Sequence, residues 1–236
     1  MSLLHVPHVS SWIRGHLLCR VDEATDRLAL TFDDGPSARN TPQVLDVLAR
    51  HGAHATFFTL ADNVARLPHL VRRMVAEGHE VALHGQIHWP LPLLPPNLLR
   101  REIERSALAV RYAAQVRARC FRPPFGFMLP SQARYVARLG YLSVLGDIYP
   151  EDAHRPGTDT IVERVRPRLG PGSILILHDG SPLGEPDRGQ TVTALDRILT
   201  HMTTRGLRGV SVAELLAEAP EETQAFEASL TRGGRS

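Results

Sequence analysis

Thr31-Phe32-Asp33-Asp34-Gly35-Pro36 decides how the rest of this chain is read. The hexapeptide follows Arg27-Leu28-Ala29-Leu30, a short run ending in apolar residues that reads as a buried strand, and its closing Gly-Pro pair turns the backbone. Two adjacent carboxylates therefore stand where a strand stops. Neighbouring side chains on an extended segment point in opposite directions, so Asp33 and Asp34 are suited to different work, one to holding a metal and the other to handling a proton. An isolated Asp-Gly-Pro is ordinarily only a turn. The residues downstream change that reading: His84 and His88, Arg122, Asp147 and His178 each follow another segment that reads as a strand. Polar groups delivered by successive strand ends are the pattern of an active site at the carboxyl end of a βα barrel.

The intervening sequence supplies the alternating helices. Thr41-Pro42 reads as an N-cap with proline in the first helical turn, and Val44, Leu45, Val47 and Leu48 follow at helical spacing up to His51-Gly52. Ala55–Leu60 is β-branched and aromatic, hence a strand, and Asp62 is placed to cap a helix running to Gly78. Glu80–Leu83 delivers His84, after which the prolines between Trp89 and Pro96 exclude regular structure, and the apolar run Leu91–Leu94 is expected to fold back over the barrel. An amphipathic helix over 97–117, a strand ending at Arg122, a short helix over 131–139 and a strand over 141–145 follow. Thr158 or Asp159 caps the next helix, Ser173–Leu177 is a buried strand ending at His178, and helix 190–204, strand 207–210 and helix 212–217 complete the pattern. Seven strands alternating with helices predict an α/β fold, a distorted parallel (β/α) barrel, with an open doubly wound sheet as the alternative. No glycine-rich dinucleotide loop follows the first strand, which counts against that alternative. The expected organisation is an N-terminal extension over 1–26 packing on the barrel, the barrel over 27–217 and a polar tail over 218–236.

Composition narrows the function. The net charge is only +2 across 236 residues, and no basic patch with interleaved aromatics suggests nucleic acid. All 27 basic residues are Arg, which excludes Schiff-base catalysis by lysine and the lysine of a P-loop. Cys19 and Cys120 are too few for a disulfide framework and too far apart for a zinc ribbon. Neither a secretory leader nor a membrane-spanning run is evident, and the compartment stays open.

His84-Gly85-Gln86-Ile87-His88 places two imidazoles four residues apart, near enough to bind one ion from a helical turn or a tight loop. With an Asp from another strand end they make two neutral nitrogens and a carboxylate, a usual set for a catalytic divalent ion. Such an ion lowers the pKa of water and polarises a carbonyl.

Taken in order, these motifs resemble the polysaccharide deacetylase family, the fourth family of carbohydrate esterases, also called the NodB homology domain; the resemblance spans roughly residues 27–217. It implies a distorted (β/α) barrel that binds a divalent metal, zinc first with cobalt, nickel or manganese as alternatives, and removes acyl groups from a carbohydrate or glycoconjugate substrate. By position it implies Asp33 as general base, and Asp34, His84 and His88 as metal ligands. Arg122, in Arg122-Pro123-Pro124-Phe125-Gly126, would orient Asp33, the backbone N–H of Phe125 would face the oxyanion, and His178 in Ile176-Leu177-His178 would protonate the leaving amine.

Three departures from the family pattern stand out. Gly85 replaces a hydroxyl residue after the first metal histidine, and Phe125 replaces a tyrosine. In Gly146-Asp147-Ile148-Tyr149-Pro150-Glu151-Asp152-Ala153 the usual tryptophan is Ala153, and either Asp147 or Asp152 is placed to tune His178. The rival readings are a deformylase or cyclic-amide hydrolase on the same scaffold, and a carbohydrate-binding homologue with weak turnover. With Trp12 and Trp89 the only tryptophans, a long aromatic sugar platform is not expected, which favours a short or unusual glycan.

Overall fold

Strand β2 (Arg27–Asp33) shows how the chain sorts itself into layers. Leu28, Leu30 and Phe32 point outward into the layer shared with the helices, alongside Phe57, Val81, Leu83, Phe121 and Leu177. Ala29 points inward and meets Phe58, Ala82, Cys120, Val144 and Ile174. The two-residue period of a strand separates the two sets. Phe32 and Phe57 stack at 5.2 Å between centroids, a pairing worth about 0.5–1.5 kcal/mol beyond its buried area.

The computed structural model describes residues 17–21 and 26–217. Its other strands are β1 (Leu17–Leu18), β3 (Thr56–Thr59), β4 (Glu80–Leu83), β5 (Cys120–Phe121), β6 (Leu142–Val144), β7 (Ile174–His178) and β8 (Arg208–Val210). Pairing is parallel throughout in the order β1-β6-β5-β4-β3-β2-β7, with β8 joining β2 at Arg27–Ala29. Around the sheet lie α1 (Thr41–Arg50), α2 (Ala61–Arg66), α3 (Pro68–Ala76), α4 (Pro96–Ala114), α5 (Pro130–Arg138), α6 (Thr158–Val165), α7 (Gly189–Thr204) and α8 (Val212–Ala217).

The sheet curls until its ends meet. Ile148, just past β6, bridges to Leu175 of β7, and the Val21 N–H donates to the Gly172 carbonyl at 2.9 Å. This is the distorted (β/α) barrel, not an open doubly wound sheet. Below the site its interior is filled by α8, whose Val212, Leu215 and Leu216 join the inner cluster. The seven anticipated strands are present, and β1 is an eighth, two residues long and too short to leave a periodic signal.

Helix starts differ from the sequence reading. Asn40, not Thr41, precedes α1, because the Thr41 hydroxyl accepts the Ser37 N–H at 2.8 Å and donates to Asp179. Asp62 lies inside the first turn of α2, and Pro68 divides the expected single helix into α2 and α3. Gly157, not Thr158 or Asp159, stands at the start of α6. Of the Leu91–Leu94 run, Leu91 is buried and Leu94 packs on the core, whereas Leu93 is exposed. The expected extension over 1–26 lies largely outside the described residues, apart from Leu17–Val21 and Asp26, and the tail over 218–236 lies wholly outside them. No helix among the described residues is long and apolar enough to cross a membrane.

Candidate active site and metal centre

Register brings the distant motifs together. Asp33, the last residue of β2, is opposite His178, the last residue of β7, so their side chains share a face. The Arg122 N–H donates to the Leu83 carbonyl and the His84 N–H to the Thr59 carbonyl, which continues the ladder just past β5 and β4. All of these residues sit at the carboxyl end of the parallel strands, where the barrel opens.

Asp34 leaves the strand in a left-handed conformation, φ 70°, and this breaks the alternation expected of an extended pair. The Asn63 side-chain amide donates to the Asp34 carbonyl at 2.7 Å and holds that turn. Two glycines make room: a Cβ on Gly180 would stand 2.2 Å from the Asp34 carbonyl oxygen, and one on Gly35 would stand 2.5 Å from the Asp179 carboxylate.

The Asp34 carboxylate then meets both imidazoles. Its Oδ1 is 3.5 Å from His84 Nε2 and 3.4 Å from His88 Nε2, yet it is buried without a hydrogen-bond partner. Two ligands about 2.1 Å from one ion at a tetrahedral angle are themselves separated by roughly 3.4 Å, so these atoms fit a shared cation. They are the one Asp/Glu/His/Cys group of this kind among the described residues. The His84 Nδ1 donates to the Arg122 carbonyl at 2.9 Å, fixing the tautomer that leaves Nε2 free as a ligand. Burial, and the neighbouring His84, push His88 down to about 4 despite the Asp34 charge, so its imidazole is neutral and ready to ligate at neutral pH.

The other half of the site is fully bonded. Arg122, buried over the Phe58 ring, donates through Nη1 to Asp33 Oδ1 at 2.6 Å and to Thr31 Oγ1 at 2.7 Å, and through its other nitrogens to the Val144 and Leu145 carbonyls. Burial acts to raise the Asp33 pKa, but the charges of Arg122 and of the nearby imidazoles, with the Arg122 hydrogen bond, hold it below the ordinary carboxylate value. His178 shares a 2.8 Å hydrogen bond with Asp152 through Nδ1, and its backbone N–H donates to the same carboxylate at 2.9 Å. Burial pulls His178 down, but the Asp152 charge and hydrogen bond outweigh it and raise the ring to about 9, which keeps it protonated at neutral pH.

Between the two aspartates left open by the sequence, it is Asp152 that bonds His178. Asp147 is outside the cluster, with its carboxylate held by Arg20 at 3.0 Å and by the Ile174 N–H at 2.7 Å. Tyr149 brings its ring within 6.0 Å of the His178 ring. Phe125, at φ 61°, holds an exposed ring 4.4 Å from the His88 ring. Trp89, next to His88 in the chain, and Phe127, two residues beyond Phe125, are also exposed.

Several residues here carry no recognisable motif. Gly85 has φ 88°, which suits glycine, and the Glu102 carboxylate accepts the neighbouring Gln86 N–H at 2.8 Å. Thr191 donates to Asp152 at 2.9 Å. Glu102 and Thr191 sit on helix faces that read as solvated or packed surface, and only contact across the fold gives them their place.

The sequence model of the polysaccharide deacetylase family matches residues 20–144. This chain belongs to the polysaccharide deacetylase family. It is 41% identical over 190 residues to a chitooligosaccharide deacetylase of Bradyrhizobium sp. (strain ANU 289), across 77% of this chain and 87% of that relative. It is 36% identical over 207 residues to a peptidoglycan-N-acetylglucosamine deacetylase of Bacillus cereus, across 86% and 93%. Among solved structures, a peptidoglycan N-acetylglucosamine deacetylase superimposes with a TM-score of 0.82 at 28% identity, across 87% of this chain and 95% of that one.

Proposed function

We propose that this polysaccharide deacetylase family member is a metal-dependent hydrolase that removes an acyl group, N-acetyl first, from an amino sugar or glycan. The observation that carries the reading is the buried, unpartnered Asp34 Oδ1 facing two imidazole nitrogens beside a bonded Asp33–Arg122 pair and a bonded His178–Asp152 pair. Relatives that act on chitooligosaccharide and on peptidoglycan N-acetylglucosamine support the choice of an N-acetylated amino sugar.

Asp34, His84 and His88 would hold the divalent ion, with zinc the best match to two nitrogens and one carboxylate and cobalt, nickel or manganese as alternatives. When bound it supplies Lewis acidity toward water and the acyl carbonyl. Asp33, kept ionised by Arg122, accepts the proton of the attacking water as general base. The Phe125 backbone N–H is assigned to the oxyanion of the tetrahedral intermediate. His178, protonated through Asp152, gives its proton to the departing amine, so the C–N bond breaks without expelling an amide anion. The exposed rings of Trp89, Phe125 and Phe127 offer apolar faces for a sugar beside the reacting one.

The test is acetate release from chitooligosaccharides, peptidoglycan fragments, acetylated xylan and simple acyl esters, before and after chelation and after adding back zinc or cobalt. The reading expects N-acetylated amino sugars to be cleaved, the activity to disappear with chelator and metal to restore it. Activity that persists after exhaustive metal removal contradicts it, and formate or a ring-opened acid as product would move the assignment to another bond.

A further inference from the structure

Arg188 is the residue just before α7, and its side chain is buried. A guanidinium loses much of its hydration on burial and ordinarily takes a carboxylate or a phosphate in exchange. Its side-chain hydrogen bonds here go to main-chain carbonyls instead. Nε and Nη2 donate to the Gly180 carbonyl at 3.2 and 3.1 Å, and Nη1 donates to the Ala153 carbonyl at 2.7 Å, with a longer contact of 3.4 Å to the Asp152 carbonyl. Gly180 lies two residues beyond His178, on the segment that leaves β7. Asp152 and Ala153 belong to the 3-10 turn Asp152–His154 that supplies the partner of His178. Each of the two segments joined by Arg188 thus carries one member of the His178–Asp152 pair.

The same helix start makes a second tie to that pair. Thr191, in the first turn of α7, donates its hydroxyl to Asp152 Oδ2 at 2.9 Å, the oxygen that also accepts the His178 N–H. Arg188 is itself anchored, because its backbone N–H donates to Asn40 Oδ1 at 3.1 Å. The left-handed residues Glu151 and Arg155 flank the 3-10 turn, so backbone preference alone does not hold it in place. A planar fork of five donors can tie two separate segments at fixed spacing, whereas the point charge of a lysine ties them less firmly.

We propose that Arg188 is a positioning residue for acyl-group hydrolysis: by binding the carbonyls of Gly180 and Ala153 it sets the distance and angle at which Asp152 presents His178 to the leaving group. The inference rests on the reading of His178 as general acid, and it adds a residue that does not touch the reacting atoms. An acid displaced by about an ångström can cost on the order of 10²-fold in rate without altering substrate affinity.

The experiment compares Arg188→Lys, Arg188→Met, His178→Ala and the double variant His178→Ala/Arg188→Lys, each assayed on an N-acetylated chitooligosaccharide and on an aryl acetate ester. A phenolate leaves without being protonated, so the ester reports on the site without its acid. Arg188→Lys is expected to lower kcat on the amide about 10-fold to 100-fold with KM and bound metal unchanged, and to lower ester turnover much less. Arg188→Met is expected to do the same more severely, and Arg188→Lys alone carries the test if it fails to fold. In the His178→Ala background Arg188→Lys is expected to cause no further loss, because both substitutions remove one function.

Equal losses on amide and ester, additive losses in the double variant, or unchanged amide turnover in Arg188→Lys would each overturn the proposal. A His178→Ala protein that keeps full amide turnover would overturn the acid assignment beneath it, which is a different failure. If His178→Ala is inactive on the amide while Arg188→Lys is unimpaired, the acid stands and only the positioning role falls.

Discussion

The two halves of the site solve opposite problems. On the Asp34 side, a carboxylate oxygen is buried without a partner while two imidazole nitrogens face it at 3.4 and 3.5 Å. On the Asp33 side, the carboxylate is bound by Arg122, and His178 is held by Asp152, which Thr191 holds in turn. An uncompensated buried polar atom is costly, and under the proposed function a cation is what compensates the first half. The second half compensates its own charges and needs nothing added. Metal binding and proton transfer should therefore be separable by substitution, although Asp33 and Asp34 are neighbours.

The largest effect is expected from Asp33→Asn. It removes the proposed base and leaves the three proposed ligands, so turnover should fall by about 10²–10⁴-fold. Steady-state kinetics checks this, and a loss of less than tenfold would assign the proton transfer elsewhere. Arg122→Met tests the same half through stability, because it strands the buried Asp33 carboxylate. Breaking a buried pair in this way costs about 3–5 kcal/mol, readable as a lower urea midpoint at constant slope. A melt unchanged from the parent would show that the pair carries no structural load.

The pH profile sharpens the comparison further. In the proposed mechanism Asp33 works deprotonated, with a pKa held below the ordinary carboxylate value, and His178 works protonated, with a pKa raised to about 9. Turnover should therefore hold through neutral pH and fall near pH 9 as His178 loses its proton. Replacing Asp152 by Asn removes the main cause of the upward shift, so the alkaline fall should move to lower pH. Asp147→Asn should leave that fall where it is, since Asp147 bonds Arg20 and the Ile174 N–H instead. If Asp147→Asn moves the fall and Asp152→Asn does not, the choice between them is inverted. The smallest effect is expected at Gly85→Ala, where φ 88° and the Glu102 carboxylate 3.4 Å from the added Cβ cost about 1 kcal/mol, measurable by thermal or urea unfolding.

What the sequence makes legible follows the same division. Strand-end motifs such as Asp33-Asp34 and His84 to His88 are short-range patterns, each directly after a short apolar run that reads as a strand. The barrel is readable for that reason, one βα unit after another. The choice between Asp147 and Asp152 is not, because both follow β6 and only the fold of the Glu151–Arg155 segment, with its left-handed residues, carries one of them to His178. Glu102, Thr191 and Arg188 are further from legibility. Each acts across the fold from a helix or its edge, where an exposed charge or hydroxyl and a bracing one look alike in the sequence. Asp33 and Asp34 do face different partners, but not by the alternation of an extended pair, since Asp34 turns left-handed toward the imidazoles.

The central claim is that Asp34, and not Asp33, holds the ion with His84 and His88. Its most direct test is the metal content of the purified Asp33→Asn and Asp34→Asn proteins, measured by elemental analysis after equilibration with the same low zinc concentration. The account predicts one equivalent in Asp33→Asn, as in the parent, and a large deficit in Asp34→Asn. Equal occupancy in the two variants, or a deficit in Asp33→Asn alone, would contradict it.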